Sequence, residues 1–153
     1  MLKKCAWEKY DKKELKELES LSTGYREFLD NGKTERECID TIVNTIEAEG
    51  YRELEELIKE GKQVKTGDKV YSVWMNKSIA MFQIGRKPMT EGLNILGAHI
   101  DSPRMDVKQN PLFEDGDHTF AYLDTHYYGG VKKYQWVALP LAIHGVVVNC
   151  LLY

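Results

Sequence analysis

The chain has 153 residues, 42% of them hydrophobic and 29% charged, with a formal net charge of −3. That is the composition of an ordinary soluble polypeptide long enough for one modest domain with a real core. The negative balance and the lack of a concentrated basic patch argue against a nucleic-acid surface. Three widely spaced cysteines, Cys5, Cys38 and Cys150, make neither a disulfide framework nor a Cys-x-x-Cys knuckle, which points to a reducing cytoplasm.

Residues 1–8 include two lysines but no apolar stretch behind them, so no signal peptide is expected. Over residues 12–29, Leu15, Leu18, Leu21, Tyr25, Phe28 and Leu29 recur at spacings of three and four. This is the pattern of a helix with one buried stripe, which Ser22-Thr23-Gly24 should break in two. Thr34 and Glu37 form a capping box for the next helix, whose inner face carries Cys38, Ile39, Ile42, Val43 and Ile46 and which Gly50 stops. Residues 51–60 read as a short acidic helix and residues 61–67 as a polar loop. Val70, Ser72 and Trp74 then alternate with Tyr71, Val73 and Met75; after Asn76-Lys77 a second strand over 78–84 completes a hairpin. A connection over 85–92 delivers the apolar run Leu93, Ile95, Leu96, Gly97, Ala98, a buried strand ended by Ser102-Pro103.

Beyond Pro103 the character changes. Residues 104–108 alternate as a short strand, Asn110-Pro111 and residues 114–118 are rich in turn formers, and residues 136–153 contain no Asp, Glu, Lys or Arg. By length and charge this last segment qualifies as a membrane span. Pro140, His144, Gly145 and Asn149 interrupt it, however, and Val146-Val147-Val148 favours strands, so a pair of strands buried in protein is expected instead.

The residues that suggest chemistry lie in Gly97-Ala98-His99-Ile100-Asp101-Ser102-Pro103. His99 and Asp101 fall at the C-terminal end of the expected strand, the edge at which α/β sheets bind ligands. Alternate residues of an extended segment point the same way, so the carboxylate can lie beside the imidazole. A carboxylate there fixes the tautomer of a ligating histidine and raises its basicity. Taken alone, His99 reads as a satisfied strand-end histidine and Asp101 as a turn residue before Pro103. Asp124 and His126, with His144 farther on, invite a second metal reading, although Tyr127-Tyr128-Gly129-Gly130 looks like a structural bend. His118 sits among turn residues, residues 47–60 read as a solvated helical face, and Lys132-Lys133 as surface charges. No Gly-x-Ser-x-Gly, P-loop or His-Glu-x-x-His occurs, which removes serine hydrolases, phosphate-binding loops and helical zincins.

The segments GAHIDSPRMDVKQNPLFED (97–115) and LDTHYYGGVKKYQWVALPLAIHGVVV (123–148) resemble the dinuclear-zinc aminopeptidases of the aspartyl aminopeptidase and aminopeptidase I family, above all its bacterial branch. Lys33-Thr34-Glu35-Arg36-Glu37 and Gly67-Asp68-Lys69-Val70-Tyr71 extend the likeness over residues 25–148. The resemblance implies an α/β fold. Residues 1–107 would give N-terminal helices, a β-hairpin and a central-sheet strand of a zinc-peptidase catalytic domain; residues 108–153 would open an inserted β-rich dimerisation domain. It further implies that His99 binds one zinc ion and Asp101 orients it. Ile100 stands where Thr is often found between them, and the stretch around His126 would supply no ligand.

The implied reaction is hydrolysis of an N-terminal amino acid from a peptide, with two zinc ions sharing a bridging water and a glutamate as general base. By the same resemblance the other ligands and the base come from sequence beyond the point reached here. The expectation is therefore a truncated or frame-shifted, inactive piece of a homo-oligomeric cytoplasmic enzyme, too poor in ligands to hold zinc tightly. Its uncovered strands should make it self-associate or aggregate. The alternative is a non-catalytic interaction module that pairs with an intact subunit. Neither a membrane nor a nucleic acid is expected as a partner.

Overall fold

Asp11 opens the first helix, α1 (Lys12–Asn31), by accepting from the backbone N–H groups of Lys13 and Glu14 at 2.7 and 2.8 Å, while Glu14 reaches back to the N–H of Asp11 at 2.8 Å. This reciprocal box satisfies donors that a helix start leaves orphaned. The computed structural model describes residues 5–148, divided into two compact units between Ala98 and His99. Contrary to the expected break, α1 runs through Ser22-Thr23-Gly24. One glycine inside a helix costs only about 1 kcal/mol, and Arg26 ties this turn together through Thr23 at 3.1 Å and Glu19 at 3.0 Å. The apolar stripe is also not buried as expected. Leu18 and Phe28 are half-buried, but Leu21 is 72% exposed.

Helix α2 (Glu35–Ala48) begins at the Thr34–Glu37 capping box, with Thr34 accepting from the Glu37 N–H at 3.3 Å and Glu37 from the Thr34 N–H at 2.8 Å. Its inner face contributes the buried Cys38 and Ile39. The turn from α1 into α2 depends on Gly32, where an added Cβ would lie 2.6 Å from the Cys38 sulfur. At the far end Gly50 takes a positive φ of 87°, a helix stop that glycine adopts at little cost.

The expected acidic helix over 51–60 is shorter, because Arg52 and Glu53 form strand β1 (Arg52–Glu53), parallel to β2 (Lys69–Trp74), before α3 (Leu54–Lys59) starts. Strand β3 (Ser78–Gln83) pairs antiparallel with β2 from Lys69↔Gln83 to Trp74↔Ser78, giving the sheet order β1-β2-β3. The hairpin is the expected one, but Met75 belongs to its turn. Met75 and Asn76 both have φ near +50°, and the Lys77 N–H donates to the Trp74 carbonyl at 2.9 Å, the geometry of a type I′ connection. Leu57, Val70 and Tyr71 complete the core around Ile39. Two polar contacts dock α2: Tyr71 donates to Glu47 at 2.6 Å, and the Asn76 amide to Asp40 at 2.9 Å. The Tyr71 phenol is pushed well above its ordinary range, first by burial and then by Glu47.

Residues 92–103 have no regular structure, so the expected strand over 93–101 is absent. A strand exists through its ladder, and among the described residues nothing pairs with this run; Leu96 is 100% exposed. The second unit is built on a hairpin of β4 (Arg104–Glu114) and β5 (Ala121–Tyr128), paired antiparallel from Arg104↔Tyr128 to Glu114↔Ala121. Asn110-Pro111 does not end β4 as a turn. It lies inside a register shift between Val107 and Leu112, which accommodates a residue that has no N–H to donate. Strand β4 thus crosses residues 107 and 108. A single-turn helix, α4 (Lys133–Trp136), follows, and residues 137–148 have neither helix nor strand. The expected strand pair is missing there for the same want of a neighbour, and its last part, 149–153, lies outside the described residues. Among the described residues no helix is long and apolar enough to cross a membrane. Helices and small sheets together give the mixed α/β class that was expected.

Candidate functional site

His99 and Asp101 lie in the irregular segment leading into β4. The His99 Nδ1 is 2.8 Å from the backbone carbonyl of Asp101 and 3.4 Å from its Oδ1. Since a carbonyl can only accept, this contact is a hydrogen bond when Nδ1 carries the proton, which leaves the Nε2 lone pair of the neutral ring available. The His99 side chain is 82% exposed, so Nε2 is open to an incoming group.

Asp101 has a further partner that sequence reasoning missed. Its Oδ2 accepts from the Tyr128 hydroxyl at 2.8 Å, and this bond is the first reason that the carboxyl is held below the usual range. Tyr128 ends β5 opposite Arg104, whose guanidinium carbon sits 4.2 Å from the centre of the tyrosine ring. Arg104 Nε in turn donates to Asp106 at 2.7 Å. The expected bend follows at once. Gly129 takes a φ of +75°, and an added Cβ would come within 3.2 Å of the Pro103 Cα. The glycine pair was a legible signal of the bend, whereas no pattern in the sequence announces a contact across 27 residues.

The other histidines are engaged elsewhere. His126 pairs with Asp106 in the β4–β5 ladder, its Nδ1 3.3 Å from the Tyr127 carbonyl, while Asp124 is held by Lys108 at 2.9 Å. His118, in the exposed turn at the far end of the hairpin with φ +54°, lies 2.6 Å from Glu114. His144 falls in the irregular stretch after α4. Lys133 rests over the Tyr127 ring at 4.7 Å. Among the described residues no three His, Cys, Asp or Glu side chains gather as a metal-binding group. A zinc site takes three or four protein ligands; His99 can offer one nitrogen, so the described residues do not by themselves fit the ion.

The model of the aminopeptidase I zinc metalloprotease (M18) family matches residues 28–150, a stretch that contains His99, Asp101 and Tyr128. The chain belongs to this family. The probable M18 family aminopeptidase 1 of Clostridium acetobutylicum is 56% identical over 146 residues, which cover 95% of this chain and 31% of that protein. The corresponding protein of Thermotoga maritima is 42% identical, over 96% of this chain and 30% of its own length. Among solved structures, aminopeptidase I from Clostridium acetobutylicum superposes with a TM-score of 0.78 at 55% identity, covering 97% of this chain and 33% of that one. Aminopeptidase I from Borrelia burgdorferi B31 gives a TM-score of 0.80 at 32% identity, over 90% and 32%. This M18 chain thus spans about a third of the length of the relatives it matches.

Proposed function

We propose that this chain supplies part of the active site of a zinc aminopeptidase that removes N-terminal residues from peptides, with His99 as one zinc ligand and Asp101 as the carboxylate that orients it. The observation that carries the reading is the pair of contacts His99 Nδ1 makes with Asp101, at 2.8 Å with its backbone carbonyl and at 3.4 Å with its carboxylate Oδ1, which leave Nε2 available on an exposed ring. In a complete enzyme, where further ligands from outside this chain would join His99, zinc would supply polarisation of the scissile carbonyl and a lowered pKa for a bound water. The chain's own part is to present Nε2 and to hold the Nδ1 proton in place. In this reading residues 1–107 belong to the catalytic domain and residues 108–153 begin the inserted dimerisation domain. The chain on its own is inactive and holds zinc weakly, as one histidine cannot make a zinc site. The open edges of the β4–β5 hairpin favour self-association or pairing with a complete subunit, in a cytoplasmic setting.

Complementation tests this. The chain is combined with the remaining two thirds of the Clostridium acetobutylicum relative, and release of a chromophore from aminoacyl substrates is followed with added zinc. Activity should return with the wild-type chain, be absent with either piece alone, and be lost with His99→Ala. Activity that persists in His99→Ala, turnover by this chain alone, or no activity from the combination would each overturn the reading.

A further inference from the structure

We propose that Tyr128 is a positioning residue of this site, acting through Asp101 on His99; the inference rests on the roles given to those two residues above. Asp101 lies in a segment without a ladder to hold it, and a carboxylate there could turn freely. Its two oxygens are instead divided between two partners. Oδ2 accepts from the Tyr128 hydroxyl at 2.8 Å, and Oδ1 lies 3.4 Å from His99 Nδ1, whose shorter contact, at 2.8 Å, is with the backbone carbonyl of the same Asp101. With one oxygen fixed by the phenol, the other is kept on the histidine side.

Tyr128 is suited to this because it is itself held. It is the last residue of β5, in register with Arg104; the guanidinium covers its ring at 4.2 Å, and Arg104 is pinned to Asp106 at 2.7 Å. The base of the hairpin is thereby linked to the irregular segment through Asp106, Arg104, Tyr128, Asp101 and His99 in turn. A second contact acts at the same place, because Gly129 packs against Pro103, two residues past Asp101, closely enough that an added Cβ would lie a tight 3.2 Å from the Pro103 Cα. Tyr127, next in sequence, is paired with Met105 and lies under Lys133.

The test reads the imidazole directly and needs neither zinc nor substrate. The chain is labelled with ¹⁵N-histidine and studied by magic-angle-spinning NMR, which tolerates self-association, at a pH well above the imidazole range; His99→Gln assigns the His99 signals. In the wild type the neutral His99 ring should be mainly the Nδ1–H tautomer. Tyr128→Phe, which keeps the ring under Arg104, should move the tautomer ratio toward Nε2–H by roughly fivefold, the effect of weakening one hydrogen bond to a charged group. His126, in the same hairpin, should not change, and Tyr127→Phe should move neither histidine. If Asp101→Asn shifts His99 but Tyr128→Phe does not, the role of Tyr128 is refuted and that of Asp101 stands. If neither substitution shifts it, the backbone carbonyl of Asp101 sets the tautomer by itself, and the orienting role of the Asp101 carboxylate falls, this proposal with it. A His126 signal that moves together with His99 in Tyr128→Phe would mean that the hydroxyl holds the hairpin together, and would overturn a positioning role.

Discussion

Residues 5–98 and residues 99–148 keep their shapes by different means. The first unit buries Ile39, Leu57, Val70 and Tyr71 among two helices and a three-stranded sheet, whereas no described residue of the second is buried and its fixed points are polar and aromatic contacts around Tyr128. Apolar burial is non-directional and accumulates with area, so it secures a fold without aiming any one group. Hydrogen bonds and ring contacts add little stability each but carry direction. Substitutions in the first unit should therefore register as stability, and those in the second as geometry.

The largest expected effect is at Ile39, the one fully buried large side chain among the described residues. Ile39→Ala should destabilise the first unit by about 3 kcal/mol in urea unfolding, as large-to-small core changes do. Leu112→Ala, at a site 71% exposed in β4, should cost less than about 0.5 kcal/mol. Equal costs at the two sites would abolish the distinction between the units. A smaller loss, about 1 kcal/mol, is expected for Thr34→Ala, which removes the cap of α2; circular dichroism during thermal unfolding would show it as a lowered midpoint.

Tyr71 sharpens the comparison, being both buried and hydrogen-bonded. Tyr71→Phe should lose about 1 kcal/mol at neutral pH. Above pH of about 10 the unfolded chain releases the phenol proton while the folded chain, with its raised pKa, retains it. The wild type therefore binds more protons folded than unfolded, and its stability falls as pH rises through that window. Denaturation midpoints of wild type and Tyr71→Phe should converge there; curves that stay parallel would mean that the phenol is not held as described. A small effect of the opposite sign is expected at Met75, a bulky residue at φ +53°. Met75→Asn should raise stability by about 0.5 kcal/mol, because Asn tolerates this region better.

What could be read from the sequence was what is local. The Thr34–Glu37 box and the Cys38–Ile46 periodicity lie within a few turns of chain, and α2 formed as expected. The β2–β3 hairpin likewise needed only a short turn between alternating runs. The expected strand over 93–101 depended on a partner strand that composition cannot supply, and the apolar run is uncovered as a result. The break expected at Ser22-Thr23-Gly24 weighed one glycine against too few of the surrounding helical bonds. At the site, the proximity of His99 and Asp101 was legible because it spans two residues. Tyr128 was not, since its approach to Asp101 is created by the pairing of Arg104 with Tyr128, a register set only once the hairpin closes.

That closure has a consequence for how the chain can change. Pro103 with Gly129, and Arg104 with Tyr128, meet at the base of the hairpin, while Gly116 and Asp117 lie in its distal turn. Residues added or removed in that turn lengthen or shorten an arm whose root stays in place. The hairpin therefore works as an interchangeable module: its tip can diverge, or accept an inserted epitope, without any compensating change around Asp101.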